Sequence, residues 1–124
     1  MSGPPDPYEG IESEVRRDFG TETITRKHLP TGEELFRISP VSAPEGCRPP
    51  EIRVLLLYRG PSGPPEVLVE PAPTLSNGNP AANIRPKQVD GETWNDYSVQ
   101  WTWIPEEPIW RNVKRKLMRF ASPT

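Results

Sequence analysis

Glu51-Ile52-Arg53-Val54-Leu55-Leu56-Leu57-Tyr58, followed by Arg59-Gly60-Pro61-Ser62-Gly63-Pro64-Pro65 and then Glu66-Val67-Leu68-Val69-Glu70, is the stretch on which the fold turns. Its first segment holds the longest apolar run of the chain, Val54 to Tyr58. A short run without alternation, bounded by turn formers, reads as a strand buried on both faces. The glycines and prolines that follow form a loop, and 66–70 is the next strand. So short a connection favours antiparallel neighbours.

Toward the N-terminus, 34–39 and 22–29 read as two more strands, joined by the turn Pro30-Thr31-Gly32-Glu33 into a hairpin. The proline-rich connection 40–50 holds Cys47. Ahead of these strands, Tyr8, Ile11, Val15 and Phe19 share one helical face. Asp6 is placed to cap that helix, Pro7 suits its first turn and Gly20 its stop. Residues 1–6 are expected to fray.

Toward the C-terminus, 71–91 is broken by Pro71, Pro73, Asn77-Gly78-Asn79-Pro80 and Pro86. It reads as a long irregular segment, a kind usually tied to function. The stretch 92–103 carries Trp94, Trp101 and Trp103 without a clear period. A closing helix is expected over 106–121, with Pro108, Glu106 and Glu107 at its start. Trp110, Val113, Leu117 and Phe120 form its apolar stripe, and Arg111, Lys114, Arg115, Lys116 and Arg119 the remainder. The order predicts one α+β domain over 1–124: an N-terminal helix, a four-stranded antiparallel meander, an irregular segment and a C-terminal helix, in two layers.

Composition narrows the function classes. Of 124 residues, 33% are hydrophobic and 26% charged, and the formal net charge is -2. That balance gives no global attraction to nucleic acid or anionic membrane. No apolar run approaches a bilayer span, and Met1-Ser2-Gly3-Pro4-Pro5 is not the opening of a secretory signal. The single cysteine, Cys47, and single histidine, His28, exclude an internal disulfide and a multi-cysteine zinc site. A reduced, cytoplasmic setting without metal or cofactor is the expectation.

Several blocks, taken in order, resemble the ubiquitin-conjugating-enzyme (UBC) superfamily, and within it the prokaryotic branch labelled family E. They are Arg59-Gly60-Pro61 with 64–71, then Asn77-Gly78-Asn79-Pro80, Asp90-Gly91-Glu92-Thr93-Trp94, Tyr97-Ser98-Val99-Gln100-Trp101 and Trp103-Ile104-Pro105. The last is similar to the Trp-x-Pro step that precedes the closing helix of conjugating enzymes. The resemblance covers about Leu29 to Phe120. It implies a UBC-like fold and a bacterial ubiquitin-like conjugation pathway of the kind associated with anti-phage defence. Implied partners are a ubiquitin-like protein, an activating-enzyme-like adenylyltransferase and a JAB-type peptidase. Two departures stand out. Gln100 occupies a place where the family often has histidine. No cysteine lies between 71 and 103, where a conjugating enzyme keeps its thiol.

Thioester transfer needs a thiolate, and Cys47 is the sole candidate, though it precedes the third strand. Without it, Ser98, Thr102 or Tyr97 would supply a hydroxyl, and Asp96 or Asp90 would polarise it or orient an incoming lysine. Equally, Asp90-Gly91 reads as a turn and Asp96 as a local cap. Trp94 and Trp101 are either core or contact residues; with Tyr97, Asn77 and Asn79 they form the candidate partner-binding set. The sequence thus leaves two functions open: receiving or positioning the ubiquitin-like C-terminus without the classical cysteine, or an inert UBC-like adaptor that binds the ubiquitin-like protein or the activating enzyme. A basic-helix nucleic-acid module is the third and weakest.

Overall fold

The structure, a computed structural model, describes residues 6–20, 24–75, 78, 84–97 and 102–121. Along the chain these form α1 (Glu9–Phe19), β1 (Ile24–His28), β2 (Glu34–Ser42), β3 (Glu51–Tyr58), β4 (Glu66–Glu70), β5 (Ile84–Val89), β6 (Glu92–Tyr97) and α2 (Ile109–Ala121). The α+β class and the meander agree with the sequence reading. The strand count does not: the sheet has six strands, in the order β1-β2-β3-β4-β6-β5, all antiparallel.

The extra pair replaces much of the expected irregular segment. Asp90 and Gly91 have φ of 50° and 79°, the two consecutive positive values that a two-residue hairpin turn requires. Val89 and Glu92 pair across it, and the ladder continues to Ile84 and Tyr97. Pro86 did not forbid the strand because β5 lies at the sheet edge, where a missing N–H is tolerated.

This hairpin does not simply extend the sheet. A single register pair, Val69 with Asn95, joins β6 to β4. Beyond it the hairpin lies across one face of the meander. Asp90 at its tip takes hydrogen bonds from Lys27 on β1 and Arg37 on β2, and Glu92 is bonded to Arg37. Trp94 and Val89 pack with Leu35, Leu55, Leu57 and Leu68 in a small second core.

Both helices cover the opposite face. Val15, Val113, Leu117 and Ile109 join Phe36, Ile38, Val54, Leu56, Val67 and Val69 in the main core. This arrangement explains the unbroken run in β3: Val54 and Leu56 face the helices, Leu55 and Leu57 face the hairpin, and none is more than 2% exposed. The expected two layers become three.

Helix boundaries shift for identifiable reasons. α1 presents Val15 to the core with Ile11 and Phe19 partly buried beside it, and Gly20, at φ 88°, stops it. Asp6 does not cap the helix; it accepts from the Tyr8 amide at 3.0 Å and pairs with Arg26. α2 begins at Ile109, three residues later than expected from Glu106. Residues 104–107 form a turn, closed by the Glu107 amide on the Ile104 carbonyl at 3.0 Å, and the amide of Ile109 is met by the Glu14 carboxylate of α1 at 2.8 Å. No described helix is long and apolar enough to cross a membrane.

Candidate functional site

The stretch to which the sequence reading assigns function runs from Asn77 to Trp101, and α2 holds the residues around its far end. Lys116 is buried, yet it is a lysine, so its ammonium needs acceptors. It donates to the Asp96 carboxylate at 2.8 Å and to the Val67 carbonyl at 2.9 Å. Its side chain is 6% exposed against 35% for Asp96. The carboxylate therefore sits at the surface with a buried cation behind it. Asn95, next to it, donates to the Val69 carbonyl at 3.3 Å.

The other flank is the Trp103-Ile104-Pro105 step. A buried asparagine, Asn112 on α2, clasps it from below. Its Oδ1 accepts from the Ile104 amide at 2.8 Å, and its Nδ2 donates to the Ile104 carbonyl at 3.0 Å. Asn112 also bonds the Pro108 carbonyl, at 3.2 Å. Arg115 donates to Asn112 Oδ1 at 2.6 Å and to the Thr102 carbonyl at 3.3 Å. Trp103 packs partly buried against the main core. The chain between Asp96 and Thr102 is thus fastened at both ends to consecutive residues of one helix, Lys116 and Arg115.

The candidate residues fare differently. Asp90 sits in the hairpin turn, where Lys27 first and Arg37 second hold its carboxyl below the usual range. Bonded to both, it is a latch for the hairpin and is not arranged as a proton acceptor. Trp94 is fully buried, with the Arg53 guanidinium over its ring at 4.9 Å from the centroid. A side chain with no exposed surface offers a partner none, so its place among contact residues is corrected to the second core. Its indole Nε1 has no hydrogen-bond acceptor among the described residues. Tyr97 ends β6, but its side chain, like all of Ser98, Trp101, Asn77 and Asn79, lies outside the described residues.

Cys47 is 4% exposed, and burial pushes its thiol pKa up, the opposite of what a nucleophilic thiolate needs. Its location is less remote than its sequence position suggests. Arg48 and Thr74 exchange backbone hydrogen bonds at 3.0 and 2.7 Å, so the β2–β3 connection lies against the chain leaving β4. Thr102 is exposed, and its carbonyl is the group engaged. His28 lies on β1 with Nδ1 2.7 Å from the Glu34 carboxylate, part of a cluster around Arg26. Among the described residues no group of His, Cys, Asp and Glu is arranged to hold a metal ion.

Sequence reasoning missed Asn112 and Lys116 as structural anchors of this region. Asn112 interrupts the apolar stripe beside Val113, and a polar residue at an interior helical position is a signal for a buried hydrogen-bond hub. Lys116, counted among the basic surface residues, carried no such mark.

Compared with protein-family models, with curated proteins and with solved structures, the chain has no match.

Proposed function

We propose that the chain is a UBC-like component of a bacterial ubiquitin-like conjugation pathway, where it positions the C-terminus of a ubiquitin-like protein without carrying it on a thiol. The observation behind this reading is the clasp around Trp103-Ile104-Pro105. Lys116, Asn112 and Arg115 of the closing helix fix both flanks of the stretch at which the resemblance sets the acyl-carrying site. The half-exposed Asp96 carboxylate, held by Lys116, is suited to receive the ammonium of an incoming lysine. The resemblance adds the adenylyltransferase and the JAB-type peptidase as partners and anti-phage defence as the setting.

A second reading, an inert UBC-like adaptor, draws on the described candidates themselves: Cys47 is buried with a raised pKa, and Asp90 is bonded to two cations. One reconstitution separates the readings. The chain is mixed with its cognate activating enzyme, ubiquitin-like protein and ATP, with a lysine-bearing acceptor. Accelerated transfer that survives Cys47→Ala and drops in Asp96→Asn supports positioning. A thiol-sensitive adduct on Cys47 overturns it, and an adduct cleaved only by hydroxylamine points to a hydroxyl such as that of Ser98. Binding without acceleration supports the adaptor.

A further inference from the structure

Arg111, Lys114, Arg115 and Met118 stand at i, i+3, i+4 and i+7 of α2 and so share one helical face. Arg111, Lys114 and Met118 are exposed. Cations at these spacings repel one another along a helix. Among the described residues a single carboxylate, Glu107, is set against them, 4.0 Å from Arg111 and 3.2 Å from Arg115. Lys114 has no acidic partner among the described residues. Within this basic face sits Met118, 55% exposed and the one exposed large apolar side chain described.

Two hollows flank the ridge, and Lys114 and Met118 line both. The first, of about 600 Å3, runs between the end of α1, the 40–45 connection and α2. Phe19, Val41, Trp110 and Leu117 make its walls largely apolar. The second, of about 430 Å3, is lined by Met118 and four cations, Arg111, Lys114, Arg115 and Arg119. An apolar hollow and a cationic one therefore meet along one edge. Two carboxylates also line the first hollow. Asp18 is bonded to Arg17 and its side chain is only 8% exposed. Glu45 belongs to the 40–45 wall and is exposed. No carboxylate lines the second hollow.

We propose that this pair of hollows docks an acidic segment of a partner protein that carries a leucine-like side chain beside its carboxylates. The apolar side chain enters the first hollow, against Trp110 and Met118. The carboxylates lie on Arg111 and Lys114 in the second. Charge complementarity selects this occupant and its orientation, since in the reverse setting the acids would meet Glu45. Methionine suits such a contact, because its flexible thioether adapts to the side chain it meets. Nucleic acid would engage the cations alone, leave the apolar hollow empty, and meet a chain whose net charge is -2. A membrane surface requires a broad apolar face, and one exposed methionine does not supply it. This face belongs to α2 and the 40–45 connection, and its role does not depend on how the chain acts in conjugation.

The chain has two methionines, Met1 and Met118, so methyl labelling of methionine gives this face its own resonance, identified through Met118→Leu. The full chain is titrated with acetyl-Leu-Asp-Asp-Leu-Glu-amide and with the neutral acetyl-Leu-Asn-Asn-Leu-Gln-amide. The expected result is a saturable shift of the Met118 methyl with the acidic peptide, and binding at least about tenfold weaker with the neutral one. Lys114→Gln, which removes an exposed charge, should weaken the acidic peptide about threefold and leave the neutral one unchanged. Equal response to both peptides, or no saturable shift up to millimolar concentration, overturns the proposal. So does unchanged affinity for the acidic peptide when Lys114→Gln and Arg111→Gln are combined. Tighter binding of a DNA duplex or of phosphatidylserine vesicles at the same salt would assign the face to another occupant and overturn it too.

Discussion

The Glu14 carboxylate of α1 accepts a hydrogen bond from the backbone amide of Ile109, the first residue of α2, at 2.8 Å. A residue far away in sequence thereby does what a local cap ordinarily does: it satisfies an orphan amide and sets negative charge at the positive end of the helix. Glu14→Ala should destabilise the fold by about 1 kcal/mol, and Glu14→Gln by less, since the amide oxygen still accepts. Urea unfolding of the two variants checks this; equal losses would show that the contact contributes only charge.

Asn112 is the more sensitive position. Asn112→Leu fills similar space but strands the Ile104 amide and carbonyl and removes an acceptor from Arg115. The expected loss is about 3 kcal/mol. Hydrogen exchange should show the Ile104 amide losing protection before those of β3.

For Trp94, truncation and trimming should separate. Trp94→Ala opens the second core and should cost about 4 kcal/mol. Trp94→Phe keeps ring burial and removes an indole N–H that has no acceptor among the described residues, so its cost should be well below that of the alanine variant. Thermal unfolding of both compares the two terms.

Acid should weaken the end of the molecule around Arg26. Hydrogen bonds from Arg26, then from the Tyr8 amide, hold the Asp6 carboxyl at about 2, and Arg16 and Arg26 lower that of Glu12. A depressed folded pKa stabilises above the ordinary carboxylate range and loses that contribution as pH falls through the folded value. Stability should therefore decline from about pH 5 down to about pH 2. In Arg26→Met the decline should be shallower. An unchanged slope in that variant would assign the acid sensitivity elsewhere, for instance to Glu66. There burial acts to raise the pKa, but hydrogen bonds from Lys87 and Arg59 outweigh it and lower the value.

The buried thiol gives a chemical test. Cys47 should react slowly with a thiol reagent in the native state and rapidly in urea, because both its burial and its raised pKa suppress the thiolate. Fast native labelling would reopen a nucleophilic role.

How legible this molecule is from its sequence varies by segment, for physical reasons. The run in β3 was readable because burial on both faces leaves no polar position to confuse the pattern. α1 was readable because one of its faces is apolar at helical spacing. The β5–β6 hairpin was not, although Asp90-Gly91 is the dipeptide such turns favour. Pro86, Arg85 and Lys87 interrupt β5, and β6 alternates Glu92, Trp94 and Asp96 on one side, where a charged, a buried and a half-exposed residue follow one another. The strands hold together by pairing and by a crossing over the sheet, neither of which leaves a hydrophobic period. At the candidate site, Asp96 was legible as a carboxylate near the Trp-Ile-Pro step. Its partner was not, since nothing in the sequence separates the buried Lys116 from its exposed neighbours.

The residues that obscured β5 bear on how the molecule avoids its own kind. A six-stranded sheet exposes hydrogen-bonding groups at its two outermost strands, and such rims invite a second copy to dock edge to edge. β5 carries Pro86, which removes one donor from the rim, beside Arg85, an exposed cation that repels an identical strand brought alongside. The opposite rim, β1, reads Thr25-Arg26-Lys27-His28, but there Arg26 is held by Asp6, Glu12 and Glu34 and Lys27 by Asp90. The margin at β5 thus carries its own guard against self-association.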